Sequence, residues 1–276
     1  MSTDRPKDEK NEAGKRWSDE RTLTTSATPE QLWDAWGDPS VLKGWFADDA
    51  RGSATPGDEI VHVWQAFGME MRHKVLAAER PHRLVLEAHS PQGVPFRQEV
   101  LIEKEGGRTV LRLVHSGFGD DADWGGEYDG IDSGWKMAFA LLQLFLESYF
   151  GRPRRTFTLI RPAAFEFADV YRLYTTDSGL GRWLGEARGM GEVGSELELA
   201  VAGEEPVTPK VLAATGTEVL LSWPPVEGAL ELKAFPMGPD ARALCLRGHS
   251  WSGDPSAVKG LERLAQVALD RLMAAL

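Results

Sequence analysis

The sequence predicts an α+β fold made of two tandem copies of one unit, each a curved antiparallel sheet wrapped around a long C-terminal helix. Three observations predict it. First, a motif recurs at constant spacing: Trp33-Asp34-Ala35-Trp36 followed by Ser40-Val41-Leu42-Lys43-Gly44-Trp45-Phe46 returns as Tyr171-Arg172-Leu173-Tyr174 followed by Ser178-Gly179-Leu180-Gly181-Arg182-Trp183-Leu184. Second, each copy reaches a strand-opening glycine, Gly57 or Gly194, and leaves its strand region at His-Ser, His115-Ser116 or His249-Ser250. Third, each copy closes on an apolar helical stripe. Trp135, Phe139, Leu142, Leu146 and Tyr149 form one, and Leu261, Leu264, Ala268 and Leu272 the other.

The elements follow in order. In the first copy, 21–26 reads as a strand. Thr28 caps a helix with Pro29 in its first turn, and Leu32, Trp33 and Trp36 share one face of it. A short helix is expected over 41–46. Strands are expected near 58–67, 70–79, 83–90, 96–105 and 109–115, with turns at Pro81, Pro91-Gln92-Gly93 and Glu105-Gly106-Gly107. A long helix over 128–150 completes the copy. Phe150-Gly151-Arg152-Pro153 is a helix stop followed by a fresh strand-like run, so the boundary is placed there. The expected division is a solvated, highly charged tail over 1–15, a first domain over 16–152 and a more divergent second domain over 153–276. The second copy repeats the order: strand 154–161, helix 164–174, short helix from Ser178, strands near 195–202, 207–215, 218–223, 228–236 and 242–249, then a helix after Asp254-Pro255.

Composition narrows the partners. The chain has 276 residues, 42% hydrophobic and 26% charged, with a formal net charge of −11. That sign disfavours nucleic acid and acidic membrane surfaces, and leaves neutral or cationic small molecules and proteins. The one cysteine, Cys245, excludes an intrachain disulfide and a thiolate cluster, and its alternating neighbours make it a small strand hydrophobe. No apolar run reaches the roughly 18 residues of a membrane span, and the charged start is unlike a signal peptide, so a cytoplasmic location without membrane insertion is expected. Nucleophile elbows, phosphate loops and dinucleotide fingerprints are missing from the sequence.

One strand, two short helices, five antiparallel strands and a long helix is the order of the helix-grip fold. The block from Pro29 to Phe46, the strand-opening Gly57, and Val114-His115-Ser116-Gly117-Phe118-Gly119 leading to Gly134-Trp135 resemble the START-like (SRPBCC) superfamily. The resemblance is strongest to its branch named after the activator of heat-shock protein 90 ATPase. It covers most of 17–150; for 154–276 it rests on the repeat. It implies a cavity between sheet and long helix that accepts lipophilic molecules.

Residues for such a cavity can be named. Trp64, Met69, Met71, Trp135, Phe139 and Leu142 supply large adaptable walls if they face inward; a filled core is the other reading of the same residues. Trp45, clustered with Trp33 and Trp36, is a candidate contact or a cover over one end of the sheet. His62 shares a strand face with Trp64, and Arg72 precedes His73, so a ligand carboxylate or carbonyl could be oriented there. His115 draws notice because His249 echoes it; a strand-end histidine bonding nearby backbone is the plainer account. In the second copy, Ala265, Ala268, Ala274 and Ala275 are expected to leave space beside the helix. Asp121, Asp123, Gly126, Asp129 and Asp132 fall at calcium-loop positions 1, 3, 6, 9 and 12, but Gly125 occupies position 5, and an acidic first helical turn explains the run better. Trp124, in that run, is expected to be exposed.

The expectation is a non-enzymatic binding protein with a hydrophobic cavity for a small lipophilic ligand, mainly in the first domain, without catalytic residues, cofactor or metal. The resemblance also leaves open a chaperone-linked interaction protein and a cyclase- or aromatase-type enzyme.

Overall fold

Strand alternation builds two main sheets. A computed structural model describes residues 17–90, 93, 95–118, 125–237 and 241–276, with backbone alone at Trp17, Phe118 and 125–132. The first unit opens with β1 (Trp17–Thr25), followed by α1 (Pro29–Gly37) and α2 (Pro39–Leu42). Then come β2 (Asp49–Gly52), β3 (Glu59–Trp64), β4 (Met69–Glu79), β5 (Arg83–His89), β6 (Pro95–Glu105) and β7 (Arg108–Phe118). These seven strands form one antiparallel sheet in the order β1-β7-β6-β5-β4-β3-β2. Helix α3 (Gly125–Leu144) runs on through a π-helical turn, Phe145–Tyr149, and sends Trp135, Leu142 and Phe145 into the core that Leu84, Leu86, Val100, Ile102, Leu111 and Leu113 build on the sheet.

The second unit repeats the scheme with fewer strands in its main sheet. It contains β8 (Arg155–Ala163), α4 (Phe167–Thr175), α5 (Asp177–Trp183), β9 (Glu186–Arg188), β10 (Glu198–Ala200), β11 (Val211–Ala214), β12 (Glu218–Trp223), β13 (Gly228–Pro236), β14 (Arg242–Ser250) and α6 (Pro255–Ala275). Its main sheet has the order β11-β12-β13-β14-β8, while β9 and β10 pair as a separate ribbon. The chain is therefore two tandem helix-grip units.

Local chemistry sets the helix starts. Thr28 accepts from the Gln31 backbone N–H, and the Gln31 side chain accepts from the Thr28 N–H, a reciprocal cap. Asp38 caps α2 through Ser40, with Pro39 in the first turn, so that helix begins earlier than the expected 41–46. β2 was not foreseen: of its four residues only Ala50 is buried, too little for a periodic signal. The expected strand over 195–202 shrinks to β10 and leaves the main sheet. The charged stretch 1–15, the acidic residues Asp120, Asp121 and Asp123, and Trp124 lie outside the described residues.

One repeated contact shows why the motif recurs. The Trp45 indole donates to the Ala35 carbonyl at 2.8 Å, and its counterpart Trp183 donates to Leu173 at 2.9 Å. Each indole pins its short helix to the helix before it. Trp45 thereby belongs to the packed core.

The units share a junction. Along β13, Leu230, Leu232 and Ala234 enter the second unit's own core, whereas Ala229 joins Leu220, Ala213 and Trp251 in the core of the first unit. Both faces of the second sheet are thus covered, one by α6 and the other by the first unit. Arg154 donates to the carbonyls of Trp45 and Ala47, Trp251 donates to Gly44 at 2.8 Å, and Arg247 pairs with Asp48 at 2.5 Å.

Candidate functional site

Inward-facing positions of β3 and β4 bring two histidines together. His62 lies opposite Met71 and Ile60 opposite His73, so the imidazoles are diagonal neighbours, with ring centres 4.2 Å apart. Across the sheet, Gln98 of β6 faces His115 of β7. Phe96 sits between the two groups, 6.3 Å from the His73 ring and 4.9 Å from that of His115. The four polar side chains are all buried, His62 with 2% and His73 with 1% exposure. They form a polar layer in an otherwise apolar hollow.

An aromatic layer adjoins it. Phe46 stacks on Trp135 at 5.7 Å and meets His62 and Trp64 edge-on, each at 5.5 Å. From α3, Trp135 donates its indole N–H to Nδ1 of His115 at 3.2 Å, which places the proton of the neutral His115 ring on Nε2. Phe139 meets the Trp135 ring at 6.1 Å, and Leu142 is fully buried one turn further on.

Burial sets the charge state of this layer. It pushes His62 well below the usual histidine range, with the neighbouring His73 adding to the effect. It takes His73 to about 4 and His115 to about 3. All three rings are neutral near pH 7, each able to donate one hydrogen bond and accept one. Both ring nitrogens of His62, and Nδ1 of His73, meet no hydrogen-bond partner among the described residues.

A cleft of about 830 Å³ opens beside the layer. One wall is the tip of the β3–β4 hairpin, with Trp64, Phe67, Met69 and Met71. The opposite wall is the outer face of the second sheet, with Glu231, Lys233, Phe235, Cys245 and Arg247. Of the residues named from sequence, Trp64, Met69 and Met71 line this cleft. His62 adjoins the cleft residue Trp64, with ring centres 5.8 Å apart, and His73 packs on His62, whereas His115, Trp135 and Phe139 do not line the cleft. Trp45 and Leu142 pack in the core away from it.

Sequence reasoning missed Phe46, Phe96 and Gln98 within the first unit, although Phe96 and Gln98 sit on alternate positions of a strand whose inner face also carries Val100 and Ile102. It missed the second wall altogether. Its signal was the alternation of Leu230 and Leu232 with Glu231 and Lys233.

The echo of His115 in His249 does not extend to its surroundings. His115 faces the hollow with Leu111 and Leu113, but His249 alternates with the core residues Leu244 and Leu246 and faces the first unit. There Nδ1 accepts from Arg154 at 3.3 Å and Nε2 lies 3.6 Å from Glu231. A one-residue difference in strand phase turns a side chain to the other face. Both partners are side chains, not the nearby backbone expected for a strand-end histidine.

The second unit's hollow is differently furnished. Leu221, Leu230, Leu232, Leu244 and Leu246 line it, and the Phe157 ring lies over Gly248 so closely that a Cβ there would meet it at 2.1 Å. Ala265 and Ala268 are buried in this core, so their small size permits close packing where space beside the helix was expected. Cys245 is buried, and burial pushes its thiol up to about 12, which removes it as a nucleophile. No group of three or more side chains suited to a metal ion occurs among the described residues. No helix among them is long and apolar enough to cross a membrane.

Residues 26–147 match the family described as Activator of Hsp90 ATPase homolog 1-like protein. That stretch is similar to the family. The matched stretch contains the whole polar layer and the hairpin wall of the cleft. No curated protein matches the chain significantly. Among solved structures, the Aha1 dimer from Colwellia psychrerythraea is similar at 18% identity and a TM-score of 0.42, over 48% of this chain and 96% of that one. DynU16, from the dynemicin biosynthetic locus, is similar over 94% of this chain and 97% of its own, at 15% identity and a TM-score of 0.42. The di-domain ARO/CYC BexL from the BE-7585A biosynthetic pathway is similar over 94% of this chain and 98% of its own, at 10% identity and a TM-score of 0.44.

Proposed function

We propose that the protein binds a small lipophilic molecule without transforming it, and that the site is the hollow of the first unit, entered from the cleft. The observation that carries this reading is His62: fully enclosed, with both ring nitrogens lacking partners, directly behind the cleft residues Trp64 and Met71. A buried polar group without a hydrogen bond costs about 1–3 kcal/mol. A ligand hydroxyl or carbonyl reaching His62 would recover that cost. Met69 and Met71, unbranched and adaptable, suit a wall that must shift to admit it. Ring surfaces of Phe46, Trp64 and Trp135 would cover a flat apolar body. In this reading the first domain spans 16–152, and the second, 153–276, has an apolar core in place of the polar layer.

The test is a titration with fatty acids, sterols and aromatic polyketides, followed by tryptophan fluorescence. One class is expected to saturate at a single site, and His62→Phe is expected to weaken it about tenfold, the loss of about one hydrogen bond. Failure of all three classes to saturate overturns the reading. Chemical conversion of the bound molecule, abolished in His62→Ala or His73→Ala, would replace it with a cyclase-type activity.

A further inference from the structure

The second sheet turns a charged face toward the cleft, where an isolated helix-grip unit would turn that face to water. Because Leu230, Leu232, Leu244 and Leu246 point into the second unit's own core, the alternate residues Glu231, Lys233, Cys245 and Arg247 are directed at the first unit. They stand across from Trp64, Met69 and Met71.

The acids at this junction already have cations facing them. Glu218 meets Lys233 at 2.6 Å, Asp48 meets Arg247 at 2.5 Å, Glu231 lies opposite Arg247 in the ladder, and Glu70 at the hairpin pairs with Arg51 at 2.7 Å. The cations have donors to spare. Lys233 gives one of its three ammonium hydrogens to Glu218, and Arg247 gives Nη2 to Asp48 while its Nε meets no acceptor. Surplus donors on one wall and apolar rings and thioethers on the other describe a two-ended site.

We infer that the second unit supplies the polar end of the ligand site: Lys233 and Arg247 hold an oxygen acceptor of an amphipathic molecule whose apolar ring body lies on Trp64, Met69 and Met71. This rests on the binding reading above and narrows its ligand to a ring compound carrying a carboxylate-like or sulfonate-like oxygen group. It also gives the second unit a role in the site, although its own hollow is filled by leucines and Phe157.

Two fluorescent probes with one ring skeleton test it on the full chain: 1-anilinonaphthalene-8-sulfonate and the uncharged N-phenyl-1-naphthylamine. The wild-type protein is expected to bind the sulfonate about tenfold more tightly, the scale of one charge-assisted hydrogen bond. Lys233→Met should remove most of that advantage and leave the neutral probe's affinity unchanged, whereas Met69→Ala should weaken both. Because Lys233→Met strands the buried Glu218, the double variant Lys233→Met/Glu218→Gln is measured beside it, with near-ultraviolet circular dichroism to confirm the fold. Equal affinity for both probes, or an advantage that survives both variants, overturns the inference and leaves the binding reading standing. Binding of neither probe removes both.

Discussion

A histidine buried away from carboxylates makes stability depend on pH. The unfolded chain protonates near 6.5, but His73 in the folded protein protonates only at about 4 and His115 at about 3. Between these values the unfolded state holds more protons than the native one, so stability rises with pH and is lost as pH falls below 6.5. At pH 5 each such ring lowers stability by roughly 2 kcal/mol relative to pH 7. The melting temperature should therefore fall between pH 7 and pH 5. His73→Gln and His115→Gln should each flatten that fall, which calorimetry at several pH values can show. A slope identical to wild type in both variants would mean that the rings are protonated in the native state. At this scale the sequence was partly informative: alternation put His62 and Trp64 on one face, yet nothing local said that His73 and His115 would share that enclosure. Their meeting depends on strands pairing across the sheet.

At the scale of elements, the repeated indole bonds invite a matched pair of substitutions. Trp45→Phe and Trp183→Phe each remove a buried N–H and leave a helix carbonyl, of Ala35 or of Leu173, without its donor. Each should cost about 1–3 kcal/mol in urea denaturation, and the two losses should add, since the sites are remote from each other. The cap at Thr28 is a smaller contribution: Thr28→Ala should cost about 1 kcal/mol. Gly248→Ala should be worse than either, because the new methyl would run into the Phe157 ring. Most elements here were legible. Helix α1, strands β3 to β7, β12 to β14 and helix α6 follow from periodicity and punctuation. The short pieces β2 and β9 did not, because three or four residues with at most one buried side chain carry no period, and β10 is all that remains of the strand expected over 195–202.

For the whole molecule, the junction decides whether two units behave as one. Arg154 reaches across it to two carbonyls beside Trp45, and Trp251 packs on Tyr149 at 4.6 Å with its indole bonded to Gly44. Arg154→Met leaves those carbonyls without donors and should uncouple the units. Calorimetry is expected to resolve two transitions in the variant where the wild type shows one; a single unchanged transition would show that apolar contacts alone couple them. Asp48→Asn, which leaves the nearly enclosed Arg247 without its ion pair, should cost about 3–5 kcal/mol by the same measurement.

The order of elements, the duplication and the apolar faces were set by the sequence alone, because periodicity and turn chemistry act between near neighbours along the chain. The activator-family resemblance came with them. Only tertiary structure decided that one His-Ser ending faces a hollow and the other a junction, since a single residue of strand phase separates the two. It alone set the second sheet's Lys233 and Arg247 against Trp64 and Met69 of the first unit. That proximity comes from the packing of one unit on the other, and packing between distant segments leaves no period in either segment to be read.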